Sequence, residues 1–226
     1  MSTTAADQPE LTINVVSDVV CPWCFIGKRR LEAAIDLYKQ RFPNRPEPVV
    51  TWWPFQLNPD MPAEGVDRAE HMAKKFGKAQ LEQAHQRLAG IGNEVGIPFD
   101  FEATKRQPNT LAAHSLIELA AGHGLQDEMV EALFQAFFVD GADLTNNAAL
   151  IDIAVRAGLP GETAEIALAN VGMRDHVAAQ DKQARELGVT GVPFFIFNNK
   201  LAVSGAHEPE SLLGAMIEAE KQTTTA

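Results

Sequence analysis

The sequence predicts an α/β fold: a small sheet whose two halves lie toward the chain ends, interrupted by a long all-helical insertion. Three observations predict it. A β-branched apolar run, Leu11 to Ser17, is followed directly by Cys21-Pro22-Trp23-Cys24 and a helical pattern. From about Asp60 to Leu187 the apolar spacing is helical almost throughout. The pattern then returns to strands at Pro193 and closes on a helix.

Taken in order, Leu-Thr-Ile-Asn-Val-Val-Ser reads as a buried strand, because β-branched side chains suit a pleated, packed surface. After the cysteine motif, Phe25, Ile26, Leu31, Ala34, Ile35 and Tyr38 recur at helical spacing, giving a helix to Arg41. Pro22 is tolerated in a first helical turn, where its missing N–H is not needed. Phe42 to Pro48 holds three prolines and is a loop. Val49 to Phe55 is a second strand, with Pro54 near its end.

The middle of the chain predicts helices over 68–76, 79–95, 110–123, 127–138, 148–157, 162–169 and 173–187. Gly77, Gly96, Gly124, Gly141, Gly158 and Gly188 stand at or near their ends, as stop signals should. Pro193 to Phe197 is a short apolar strand, Asn198-Asn199 a two-residue hairpin turn, and Lys200 to Ser204 the returning strand. Pro209 to Ala219 is a closing helix, followed by a tail, Gln222 to Ala226, expected to be mobile. Residues 11–59 and 188–221 are thus expected to form one discontinuous domain, with 60–187 as an inserted helical domain.

Composition narrows the function. The formal net charge is −11, with 46% hydrophobic and 22% charged residues, an ordinary globular balance. An acidic surface repels phosphate backbones and anionic lipid, so neither nucleic acid nor a membrane is expected as partner. Met1 to Glu10 has neither a basic region nor an apolar stretch, so no targeting leader is expected and the default location is the cytoplasm. Only two cysteines exist, Cys21 and Cys24, three positions apart. A disulfide closing so short a loop staples little, so its value is chemical rather than structural.

A Cys-x-x-Cys between a strand and a helix is suited to redox work. The first sulfur lies at the helix N-terminus, where free N–H groups and the macrodipole favour negative charge and hence the reactive thiolate. Cys21 is therefore expected to attack, and Cys24, a turn further in, to be the less exposed resolving sulfur. A zinc site would need two further ligands; there is no third cysteine, and the histidines at 71, 85, 114, 123, 176 and 207 include no His-x₃₋₅-His pair, so no metal is expected. Two inert core cysteines are the other bland alternative. Lys28-Arg29-Arg30 reads as a solvated helix face that could add positive potential near Cys21. Trp52, Trp53 and Phe194-Phe195-Phe197 read as core or groove lining, and Trp23 as an apolar contact for a substrate.

With Cys21-Pro22-Trp23-Cys24 and Gly191-Val192-Pro193-Phe194 together, the chain resembles the thioredoxin superfamily. The helical insertion resembles its DsbA branch. Cys-Pro-Trp-Cys-Phe-Ile-Gly, Phe55-Gln56-Leu57-Asn58-Pro59 and Asn109-Thr110-Leu111-Ala112-Ala113-His114 resemble the FrnE group within it. The resemblance spans about Leu11 to Ala219 and implies a thioredoxin fold with a DsbA-like insertion. It implies a cis Pro193 facing the cysteines, with the Val192 backbone free to pair with an extended substrate; the residues alone also allow a trans proline at a strand start. It further implies that Asn109, Thr110 and His114 line the cleft above Cys21, whereas a lone helical histidine is ordinarily a surface or satisfied core residue. One departure is Val15, standing where many thioredoxin-like proteins carry a buried carboxylate. Asp18 could serve instead, or could solvate a loop.

The leading function is a thiol–disulfide oxidoreductase, reductase or isomerase, exchanging protein or small-molecule disulfides through Cys21 and Cys24 without a further cofactor, with glutathione an available reductant. The alternative is a glutathione-dependent enzyme of the kappa-transferase and hydroxychromene-carboxylate isomerase branch, whose members characteristically use a serine at the active position. A third reading is a non-enzymatic binding module.

Overall fold

The structure is a computed structural model that describes residues 11–224; the expectations for Met1 to Glu10 and for Thr225 and Ala226 lie outside the described residues. Strand β1 (Thr12–Ser17) leads through the cysteine loop into α1 (Pro22–Arg41) and then β2 (Val49–Pro54). The helical stretch follows as α2 (Arg68–Phe76), α3 (Lys78–Glu94), α4 (Leu111–Ala121), α5 (Gln126–Phe138), α6 (Asn147–Arg156), α7 (Gly161–Ala169) and α8 (Val171–Glu186). A hairpin of β5 (Phe194–Phe197) and β6 (Leu201–Ser204) and helix α9 (Pro209–Thr224) complete the chain.

The main sheet runs in the order β2-β1-β5-β6, with β1 parallel to β2 and antiparallel to β5. Chain-distant segments therefore become neighbours: Val16 sits opposite Phe194, which brings the end of β1 beside the start of the hairpin. Side chains alternate along β1 as a pleat requires. Leu11, Ile13 and Val15 enter the large core under α1, while Val16 joins Phe55, Ala184 and Val189 on the opposite face. Asn198 and Asn199 both take positive φ, 50° and 54°, which asparagine tolerates, but Phe197 pairs with Leu201, so the hairpin loop is the three residues Asn198 to Lys200 and not the two expected.

Two further departures from the sequence reading stand out. The insertion is not purely helical: Val66–Asp67 (β3) pairs antiparallel with Arg106–Gln107 (β4). A two-residue ladder is too short to leave a period-two signal. The chain end also differs, because α9 continues through Thr224 instead of stopping at Ala219.

Helices of the insertion pack on the sheet itself, α5 and α8 both lying against β2. Phe25, the residue after Cys24, fastens α1 to α5. Its ring stacks on Phe134 at 5.0 Å and meets Phe99 edge-on at 6.0 Å. A fully buried phenylalanine contributes roughly 2–3 kcal/mol by burial, and each aromatic pair adds about 0.5–1.5 kcal/mol. The start of the cysteine helix is thus held from below by an aromatic cluster.

Lys28-Arg29-Arg30 is a correction. It is not a solvated face: Lys28 is only 2% exposed and reaches Glu32, Asp127 and Glu131. Burial pulls the Lys28 ammonium toward neutrality, but Asp127 and Glu32 outweigh it, so its pKa lies above the ordinary lysine value. Arg29 pairs with Glu131, and Arg30 with Glu208 and the Ala206 carbonyl. The three cations join α1 to α5 and to the segment entering α9. Long stems packed under a charged head look polar in sequence.

Candidate active site

The site is assembled where β1, the residues after β2 and the loop before β5 meet. Cys21 is the N-cap of α1, extended at φ −96° and ψ 110°, with Pro22 as the first helical residue and no acidic side chain in the first turn. Nothing local therefore competes with a thiolate for the helix end. Its backbone N–H donates to the Asp18 carbonyl at 3.0 Å, closing the turn that sets the cysteine at the sheet edge.

Cys24 lies one turn on. Both sulfurs are reduced; Cys21 is 5% exposed and Cys24 1%. Burial pushes the Cys24 thiol well above the ordinary range, and the neighbouring Cys21 sulfur adds to that push. Contacts to the Ser17 hydroxyl and the Asp18 backbone pull the other way without prevailing. Cys24 thus holds its proton until something draws it off.

Across the sheet edge, the Val192–Pro193 bond is cis, as the resemblance implied. The Cys21 thiol donates to the Val192 carbonyl at 3.6 Å. Gly27 lets α1 press against this loop: a Cβ built there would stand 3.0 Å from Pro193 Cγ and 3.2 Å from the ring of Phe195. The Pro193 carbonyl accepts from Gly205 at 2.8 Å, anchoring the loop from its other side.

Asp18 is fully buried, and its Oδ2 accepts from the Leu57 backbone N–H at 2.7 Å. It is not a loop-solvating residue. His114, 3% exposed on α4, approaches Asp18 Oδ1 with its Nε2 at 3.4 Å but without hydrogen-bond geometry, so neither atom has a hydrogen-bond partner among the described residues. A cavity of about 10 Å³ touches His114 together with Ser17 and Trp52.

The segment Phe55–Leu57 is pinned at nearly every polar group. The Gln56 N–H donates to Asp181 Oδ1 at 2.9 Å, its carbonyl accepts from Arg185, and its side chain donates to Asn109 at 3.1 Å. Asn109 also accepts from the Leu111 N–H at 2.9 Å and donates to the Met61 carbonyl at 2.8 Å, so it braces the entry to α4.

Of the residues singled out in sequence, Cys21, Cys24, Val192 and Pro193 come together. Trp23 is half-buried beside them, with the Arg87 guanidinium 5.8 Å from its ring centroid. His114 stands behind Asp18, away from the open hollow that borders Cys21, Pro22 and Trp23. Sequence reasoning gave no role to Ser17, whose hydroxyl meets Cys24, or to Gly27, whose contact with Pro193 joins segments far apart in the chain.

The model of the DSBA-like thioredoxin domain matches residues 12–216. The chain belongs to the DSBA-like thioredoxin family. Its DSBA-like fold is similar to a probable DsbA oxidoreductase from Streptomyces coelicolor, with a TM-score of 0.84 and 28% identity over 93% of this chain and 90% of that one. Uncharacterized protein YwbO of Bacillus subtilis is 27% identical over 195 residues, 86% of this chain and 90% of that protein. The fold is also shared with the cytosolic disulfide reductase DsbM of Pseudomonas aeruginosa with GSH, at TM-score 0.62 and 18% identity over 95% and 98% of the two chains. A 2-hydroxychromene-2-carboxylate isomerase shares it too, at 0.70 and 16% over 95% and 98%. Among the described residues no helix is long and apolar enough to cross a membrane.

Proposed function

We propose that this DSBA-like protein is a thiol–disulfide oxidoreductase of the FrnE type, reducing or isomerising disulfides through Cys21 and Cys24 in the cytoplasm. The observation that carries the reading is the arrangement of Cys21, an N-cap whose sulfur lies 3.6 Å from the Val192 carbonyl, with a buried Cys24 one turn behind it.

In the forward step the Cys21 thiolate attacks one sulfur of a substrate disulfide. The substrate S–S bond breaks, the first thiolate leaves, and a mixed disulfide forms on Cys21. Cys24 then gives up its proton and attacks Cys21 Sγ, releasing the second substrate thiolate. The protein dithiol has lost two electrons and the substrate has gained them. Two equivalents of a thiol such as glutathione would return the pair to the reduced state. Val192 offers the backbone edge on which an extended substrate could add as a strand.

The test is insulin reduction by the wild type, Cys21→Ser and Cys24→Ser. Loss of turnover in both variants is expected, because release of the mixed intermediate draws on the internal second thiol. A glutathione-dependent isomerase or transferase has only the shared fold behind it. It would show itself as turnover of a small electrophile with glutathione that survives loss of Cys24, with no insulin reduction.

A further inference from the structure

Beside Cys21 the surface sinks into a chamber of about 290 Å³ between the first turn of α1, α2 and α3. Trp23, Met72, Phe76, Leu81, Leu88 and Phe101 supply its apolar wall. Two full cations, Arg68 and Lys75, also line it, and among the described residues no Asp or Glu does. This is a chain with 30 acidic and 19 basic residues, so a wall holding cations alone runs against its overall charge.

Arg68 is the unusual member. It is 4% exposed, one of its nitrogens donates to the Gln107 side chain, and its guanidinium lies 5.1 Å from the Phe137 ring centroid. No carboxylate pairs with it among the described residues, and its other guanidinium nitrogens are not wholly enclosed, which leaves them within reach of a ligand. Asp67, Glu82 and Glu102 line the adjoining cavity on which Arg68 also borders, but none stands within ion-pair reach, and Asp67 is engaged by the Glu70 N–H at 2.8 Å. Burying a guanidinium beside a neutral amide is costly unless an anion completes it. The surroundings agree: burial pulls Arg68 down to about 10, and burial together with the nearby cations holds His71 and His85 below the ordinary histidine value.

We propose that this chamber binds small disulfides with an apolar or aromatic body and a carboxylate, that carboxylate pairing with Arg68 while a sulfur is presented to Cys21. The inference rests on the thiol-exchange reading and names its substrate class. A volume near the lower end of small-molecule pockets, roughly 300 Å³ upward, suits such a ligand rather than a folded protein. Arginine matches a carboxylate with two parallel N–H donors, and the fork is worth most where water is excluded. The exchange balances as before: Cys21 attacks, the ligand S–S bond breaks, Cys24 loses its proton to solvent and closes on Cys21, and two small thiolates depart.

The experiment follows the reduced protein by stopped flow with two probes, 5,5′-dithiobis(2-nitrobenzoate), carboxylated on both rings, and 4,4′-dithiodipyridine, uncharged. Arg68→Met should slow the carboxylated probe by at least about tenfold, the scale of a lost charge-assisted hydrogen bond, and leave the neutral probe within about twofold. Arg68→Lys should retain part of the difference. Equal slowing of both probes, or no slowing of either, would overturn the assignment. Calorimetric titration of the wild type with 4-nitrobenzoate gives a readout that needs neither the variants nor any redox step: saturable binding supports the chamber, and its absence refutes it. Nitrobenzoate binding that Arg68→Met abolishes, with no exchange on either disulfide, would sustain the chamber and sink the exchange reading. Rapid exchange that ignores Arg68 would do the reverse.

Discussion

The Cys21 thiol donates to the Val192 carbonyl across 3.6 Å, joining residues 171 positions apart in the chain. The contact exists only while Cys21 carries its proton. Once the sulfur ionises or enters a disulfide the carbonyl is released, so the attacking step also frees a backbone acceptor for a substrate N–H. Sulfur chemistry and the docking edge are thereby coupled through one atom.

The two sulfurs should differ in reactivity. Burial raises Cys24 well above the ordinary thiol range, whereas Cys21 sits at the helix end beside an open chamber. Iodoacetamide at neutral pH should label Cys21 first, with Cys24 at least about tenfold slower, as thiolate content and access dictate. Peptide mapping over time reads this directly, and equal labelling would contradict the assignment of roles.

The same raised Cys24 makes stability depend on pH. An unfolded thiol ionises near about 8.5, while the folded one keeps its proton to higher pH. Above that point the unfolded chain loses a proton the folded one retains, so stability present below about pH 8.5 declines as pH rises, by up to about 1.4 kcal/mol per unit. The window extends to about pH 10 before Tyr38, itself pushed up to about 12 by burial and Glu220, adds a slope of the same sign. Urea unfolding of the reduced wild type across pH 8–10 should show the decline, and Cys24→Ala should show a shallower one. Parallel curves would speak against the buried, protonated thiol.

Gly27 ties the cysteine helix to the proline loop. Alanine would gain about 1 kcal/mol of helix propensity, but its Cβ would meet Pro193 and Phe195 at 3.0–3.2 Å. Phe195 is fully buried and the loop is anchored through Gly205, so neither neighbour can yield freely. Gly27→Ala should cost about 1–3 kcal/mol net, as overpacking does, and slow exchange with protein disulfides. A chemical denaturation series and an insulin assay on the same preparation check both; a stabilised variant with full activity would refute the contact argument.

Much of this was legible in the chain. The strand, the Cys-x-x-Cys and the following helix announce themselves because each has a local period or spacing. Pro193 was legible only through the resemblance, since a cis bond leaves no mark in the residues around it. Asp18 remained ambiguous, because a carboxylate three residues before a cysteine looks alike whether buried or solvated; only the Leu57 N–H and His114 decide it. Arg68 was invisible. A basic residue opening a helix is unremarkable until the 66–67 and 106–107 ladder sets Gln107 against it and no carboxylate among the described residues stands within ion-pair reach.

Asp18 gives a further expectation. Its carboxylate satisfies the Leu57 N–H in a site closed to water, and its backbone contacts Cys24. Asp18→Ala should cost about 1–3 kcal/mol for the donor left unpaired and lengthen the life of mixed disulfides on Cys21. Asp18→Asn should fall between. Quenched-flow mass spectrometry reads the lifetime and urea midpoints the stability; an Asp18→Ala protein as stable and as fast as wild type would remove the residue from the account.

The central claim is that Cys21 attacks and Cys24 resolves. It is tested most directly by trapping: Cys21→Ser and Cys24→Ser proteins are incubated with a disulfide-bonded protein substrate, quenched with acid and mapped by mass spectrometry. Cys24→Ser should accumulate a mixed disulfide carried on Cys21, and Cys21→Ser should trap little or none. Accumulation on Cys24 in the Cys21→Ser protein, at a level matching the other variant, would contradict the account.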